Sequence, residues 1–129
     1  MSKLKKDVLT VGEDKVTLYE LSALHRMEYL EYVFDAKNTL PVEGASQEET
    51  VKAVTLLAIR DYAMLVALSL SLAPDENRDA PELMNEVLSE YGADALTRAA
   101  MMVRELSGMA VTERSEPEEG MEPLSLEKS

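Results

Sequence analysis

Twenty residues, Val54 to Ala73, contain only one charged pair, Arg60-Asp61, and otherwise run almost wholly through Leu, Ala, Val and other small or apolar types. Such a run is long enough to raise the question of a membrane span. Each charge near a bilayer centre costs about 2.5–3.5 kcal/mol, so the pair favours a buried helix of a soluble protein. The start is signalled by Ser46-Gln47-Glu48-Glu49, a capping box in which hydroxyl and carboxylate each satisfy an orphan amide. Pro74 is the stop. Val51, Val54, Leu57, Leu65, Leu68 and Leu72 trace one face, and Ile59, Met64, Val66 and Leu70 widen it. A helix apolar nearly all round belongs at the centre of a bundle or at a subunit interface.

The rest of the chain must supply what surrounds that helix. Val8 to Val11 and Val16 to Leu18 flank the polar turn Gly12-Glu13-Asp14-Lys15, which predicts a β-hairpin. Two strands alone are marginal, so the hairpin has to lean on helices or on a neighbouring subunit. Thr17-Leu18-Tyr19-Glu20 reads as a capping box opening a first helix that ends near Lys37-Asn38. Leu18, Leu21, Leu24, Met27, Leu30 and Phe34 recur every three or four residues and predict its inward face. Residues 39–45 are a connection. Pro81 suits the first turn of a third helix with Leu83, Met84, Val87, Leu88 and Tyr91 on one face and Gly92 at its end. A fourth runs from Asp94, with Leu96, Ala99, Ala100, Val103 and Leu106 inward and Gly108 as its left-handed cap. From Thr112 to Ser129 there are six Glu, two basic residues, two Pro and one Gly, the composition of a solvated tail. The fold class expected is mainly α: a small bundle of about four helices with a short N-terminal β-hairpin, as one domain over residues 1–111, followed by a disordered acidic C-terminal tail over 112–129. No internal repeat is present.

Charge and residue chemistry exclude several functions. The formal net charge of −12 over 129 residues opposes binding to a phosphate backbone, which needs clustered Lys and Arg. The absence of Cys removes disulfides, thiol nucleophiles and thiolate metal sites. Met1 to Asp7 carries charge with no apolar stretch of signal-peptide length behind it, so the expected location is the cytoplasm. Asp75-Glu76-Asn77-Arg78-Asp79-Ala80, with Glu86 at the twelfth position, nearly spells an EF-hand calcium loop. The sixth position needs glycine for its sharp turn and here holds Ala80, so a polar helix–helix loop with Asp79 or Ala80 as helix cap is the better reading. His25 is the only His, the five glycines are isolated, and no Ser sits in a nucleophile elbow. Neither Glu48-Glu49 nor Glu118-Glu119 reads as an acid/base dyad. These features predict no catalytic residues, no metal and no cofactor, hence a chain that is not an enzyme. Eight Met is a high count, and Met101, Met102 and Met109 cluster around the last helix, where their adaptable side chains either fill gaps in the core or suit varied partner segments.

Two stretches carry a resemblance. Val16-Thr17-Leu18-Tyr19-Glu20-Leu21-Ser22-Ala23-Leu24-His25-Arg26-Met27-Glu28-Tyr29-Leu30 resembles the V-T-L-x-E-L-S-A-L-x-R-x-E-x-L segment of the minor tail protein G family, the tail assembly chaperones of lambda-like long-tailed bacteriophages. Arg104-Glu105-Leu106-Ser107-Gly108-Met109 is similar to that family's R-L-S-G-M, with Glu105 inserted. The resemblance implies a protein of the host cytoplasm that acts during tail assembly and is absent from the mature virion. It implies binding to the tape measure protein, whose long apolar helices it keeps soluble, and recruitment of major tail (tube) protein subunits. It also implies a longer form made by −1 ribosomal frameshifting; codons for Gly-Lys commonly spell the slip site, and the tail contains no Gly-Lys pair. The excess of apolar helix surface adds an expectation of homo-oligomeric self-association. Candidate partner contacts are Tyr19, His25, Tyr29 and Tyr32, expected to project from other faces of the first helix, together with Met101, Met102 and Met109. The rival from another class is an acidic nucleic-acid mimic that inhibits a DNA-binding protein. It needs carboxylates ordered along one folded face, and the tail alone holds −4 of the −12.

Overall fold

The computed structural model describes residues 3–38 and 44–109. The acidic segment 112–129, the boundary drawn at residue 111 and most of the connection after the first helix lie outside the described residues. In chain order the elements are β1 (Lys6–Val11), β2 (Asp14–Tyr19), α1 (Ala23–Lys37), α2 (Gln47–Leu70), α3 (Ala80–Glu90) and α4 (Ala93–Leu106). The strands pair antiparallel from Lys6↔Tyr19 to Val11↔Asp14, leaving Gly12 and Glu13 as a two-residue loop. Gly12 has φ 62°, the positive value that the first central residue of such hairpin turns requires.

The hairpin is longer than expected, and this moves the start of α1. Thr17 and Leu18 pair with Val8 and Asp7, and the Glu20 amide that the Thr17 hydroxyl would cap donates to the Lys5 carbonyl at 2.8 Å. Glu20 instead accepts from the Lys5 amide at 2.8 Å. Ser22 is the true N-cap, its Oγ accepting from the His25 amide at 3.1 Å. Leu18 and Leu21 therefore precede the helix, and their phase does not carry into it.

That shift overturns the expected inward face of α1. Leu18 and Leu21 are buried, but Leu24, Met27, Leu30 and Phe34 are 63%, 60%, 55% and 68% exposed. The opposite face turns inward through Tyr29, which is buried and donates its hydroxyl to Asp61 Oδ1 at 2.5 Å. Val33 packs against the core beside it, and Arg26 reaches the Ser107 carbonyl at 3.2 Å.

The other caps follow local chemistry. In α2, Ser46 and Glu49 form the expected reciprocal capping box, both bonds at 3.0 Å. Asp79 caps α3 in the same way with Glu82, and Pro81 sits in the first turn. Gly92 does not close α3: at φ −73° it is the N-cap of α4, while Tyr91 ends α3 in an extended conformation. Gly108, at φ 72°, ends α4 as expected; the Met109 amide donates to Arg104 O at 2.7 Å and the Gly108 amide to Glu105 O at 3.2 Å, the paired bonds of a Schellman motif. Helix α2 stops at Leu70 rather than at Pro74, and tight turns carry the chain onward through Leu72 and Ala73.

The core gathers where α2 ends. Ala63, Leu65, Val66, Ala67, Leu68 and Ser69 are buried, met by Leu83 and Val87 of α3, by Leu96, Ala99, Ala100 and Val103 of α4, and by Leu9 and Leu18 of the hairpin. Full burial of a side chain such as Leu65 or Leu18 is worth about 1.5–3 kcal/mol. By length and composition α2 could cross a membrane, with a third of its most apolar window buried in this fold.

Two buried serines fasten the hairpin to this core. Ser69 Oγ accepts from the Tyr19 amide at 2.6 Å and donates to the Tyr19 carbonyl at 2.8 Å. Ser107 Oγ accepts from the Leu21 amide at 3.0 Å. The end of β2 and the strand-to-helix junction are thus tied to α2 and α4.

Candidate functional site: an uncovered apolar face

The first half of α2 contrasts with its last two turns. No residue from Gln47 to Tyr62 is buried, and Val51, Val54, Leu56 and Ile59 are exposed. Beside it stands α1, whose Leu24, Met27, Leu30 and Phe34 also face outward. Eight large apolar side chains are thus left open on two consecutive helices, and exposed apolar patches mark candidate partner surfaces. On α1 the apolar row is edged by Glu28, Glu31 and Asp35, each following an apolar residue of the row and each exposed.

Two concavities border this region. An open cleft of about 580 Å³ lies between α1, α2 and the start of α3, lined by His25, Glu28, Glu31, Tyr32, Met64, Leu68 and Arg78 among others. Burial is the main cause raising the Tyr32 phenol above its usual pKa, with Arg60 opposing and Asp61 adding to the shift. A smaller cavity of about 300 Å³ lies among α2, α3 and α4, lined by Ile59, Tyr62, Leu88, Tyr91, Leu96 and others. There Tyr91 is also raised, first by burial and then by Glu86 and Glu90.

The residues singled out as partner contacts are scattered. His25 and Tyr32 share the larger cleft, with His25 Nδ1 2.9 Å from Ser22 Oγ. Tyr29 does not project: it is buried against Asp61. Tyr19 is half-buried in β2 with its backbone held by Ser69. Met101, Met102 and Met109 are half-buried, and the last two pack against the core. The exposed face of α1 was missed because α1 carries two apolar rows on opposite sides, Leu24-Met27-Leu30-Phe34 and Tyr29-Val33-Ala36. The signal that separates them is the Ser22 cap, which fixes where the helix begins.

The near-EF-hand loop has other uses for its acidic groups. Glu76 and Glu86 both pair with Arg78, at 2.9 Å in the case of Glu76, and Asp79 is the α3 cap. The hydrogen bond from the Arg78 side chain, more than any other cause, holds Glu76 at a pKa of about 2. Ala80 is already helical. Among the described residues no group of three His, Asp or Glu converges as metal ligands would.

Comparison with known proteins places this architecture. The family model described as bacteriophage lambda tail assembly chaperone, TAC, protein G matches residues 3–123. Tail assembly protein G of Escherichia phage N15 is 29% identical over 140 residues, covering 97% of this chain and 95% of the relative. Tail assembly protein G of Escherichia phage lambda is 36% identical over 101 residues, covering 73% of this chain and 69% of the relative. Tail assembly protein GT of Escherichia phage lambda is also 36% identical over 101 residues, but those cover only 34% of that longer protein. No solved structure matches. With the family model spanning nearly the whole chain, the protein belongs to the protein G family of tail assembly chaperones of lambda-like bacteriophages.

Proposed function

We propose that the chain binds the tape measure protein of its phage in the host cytoplasm, keeps that protein's long apolar helices soluble, and helps bring major tail (tube) protein subunits to it. In this reading it acts without catalysis and leaves before the virion matures. The observation that carries the proposal is the open apolar row of α1, Leu24, Met27, Leu30 and Phe34. A helix of the client laid along this row would bury its own apolar stripe, the helix-in-groove mode of recognition. The net charge of −12 keeps such a complex soluble. Similarity to both a protein G and the longer GT form supports a second, frameshifted product sharing this same domain.

Co-expression tests it. The wild-type chain keeps the tape measure protein soluble and co-purifies with it, whereas Leu30→Asp with Phe34→Asp loses the complex while retaining helicity by circular dichroism. A tape measure protein that stays insoluble beside the wild type overturns the reading. A double variant as effective as wild type overturns the choice of face.

A further inference from the structure

We propose that, in the absence of a client, the open face of α1 is covered by the same face of a second copy, with the two helices parallel. Register and charge both favour this pairing. Ala23, Met27, Leu30 and Phe34 recur at intervals of four, three and four, the spacing of a coiled-coil seam, and all four are exposed. Lys37 takes the next seam position and ends the stripe.

The flanks of the seam carry opposite charge. On one side the flanking position is Arg26, and on the other it is Glu31. In a parallel pair, each flanking residue faces the opposite flank of the other helix five positions further on. Arg26 of one copy then meets Glu31 of the other, and symmetry makes the contact twice. An antiparallel pair brings like flanks together, setting Arg26 against Val33 and Glu31 against Leu24 where the apolar overlap is best. Only the parallel arrangement neutralises both charges. Arg26 spends one N–H on the Ser107 carbonyl and keeps four more donors for a carboxylate. Glu31 is exposed and makes no ion pair among the described residues.

A seam of four residues per copy is much smaller than a standard protein interface, so the dimer is reversible and a longer apolar helix can displace it. The inference does not depend on the client, since it concerns the chain alone. Sedimentation of the purified full-length chain across a dilution series tests it. The wild type shows a monomer–dimer equilibrium. Arg26→Glu or Glu31→Arg alone shifts it to monomer, and the two together in one chain restore the dimer. Ala23→Cys, in a chain with no other Cys, gives a disulfide-linked dimer under mild oxidant, because parallel packing brings the two copies of residue 23 together. A chain that stays monomeric at every concentration overturns the proposal. So does an oligomer indifferent to either charge reversal, or a double reversal that fails to dimerise.

Discussion

From Gln47 to Tyr62, α2 leaves Val51, Val54, Leu56 and Ile59 open to solvent, whereas from Ala63 to Ser69 it buries every residue except Met64, which is half-buried. Both stretches belong to one uninterrupted helix and at least half of each is apolar, eight residues of sixteen in the first and six of seven in the second. Besides this difference in composition, what separates them is cover. The second stretch receives α3, α4 and the hairpin, and the small side chains of Ala63, Ala67, Ala99 and Ala100 let these helices come close. The first lacks such cover: α1, which meets α2 at Asp61, turns its Tyr29–Val33 side inward, and an open cavity stands between Ile59 and the α3–α4 junction. Apolar content alone thus says that a helix must be covered. It does not say whether the cover comes from the same chain.

The contrast breaks most visibly if the closed stretch is hollowed out. Leu65→Ala, at a fully buried site, is expected to lower unfolding free energy by about 2–5 kcal/mol in urea titrations, through lost transfer energy and the cavity left behind. Val54→Ala in the open stretch changes it by about 0.5 kcal/mol or less. Equal losses at the two sites would mean that the open stretch is covered within the same chain.

The hairpin fastening comes next. Ser69→Ala strands both the amide and the carbonyl of Tyr19, which the serine hydroxyl now satisfies. Leaving part-buried polar groups unpaired costs about 1–3 kcal/mol. The loss should appear in urea titrations and as faster amide exchange along β2, with α3 little changed.

Ser69 also illustrates where sequence reading stops. The hairpin, the four helices, the Ser46 cap, a cap at Asp79 or Ala80 and the Gly108 terminus were legible because each follows from contacts within a few residues. A serine inside an apolar helix gives no sign that its partner is a strand fifty positions earlier. The orientation of α1 failed for a related reason. Its phase was read through Leu18 and Leu21, which belong to a strand and a junction, and helical periodicity means nothing across such a boundary. The candidate face was therefore visible as four residues, Leu24, Met27, Leu30 and Phe34, but assigned to the wrong side of the fold. Gly92 was misplaced because a glycine near a helix end suits either a C-terminal or an N-terminal cap, and only its backbone angle decides.

A smaller effect isolates the open half. Tyr29→Phe removes the hydroxyl bond to Asp61 while keeping the ring in place, at an expected cost of about 1 kcal/mol. Because that bond joins α1 to α2 near the border of the two stretches, amides of α1 should exchange faster while those of α4 keep their protection. Uniform loss of protection across the chain would show that the two regions unfold as one unit.

The smallest effect lies in the loop entering α3, at the closed end. Arg78 donates to both Glu76 and Glu86, and its pull leaves the Glu76 carboxyl at about 2 against an ordinary 4.5. A carboxyl lowered on folding contributes stability that is present above its unfolded pKa and is lost as pH falls toward the folded one. The contribution of this bridge should therefore be intact at neutral pH and fade between about pH 4.5 and 2. The group lies at the surface, where solvent and salt screen it, so the change in melting temperature is slight. Titration of the Glu76 side chain followed by NMR is the sharper measure: the midpoint stands near 2 in the wild type and returns toward 4.5 in Arg78→Ala. The same variant should leave the spectra of α1 untouched, because the bridge ties the loop only to α3. If α1 resonances move as well, the cleft between His25, Tyr32 and Arg78 couples the closed end to the open face, and the division drawn along α2 has to be redrawn there.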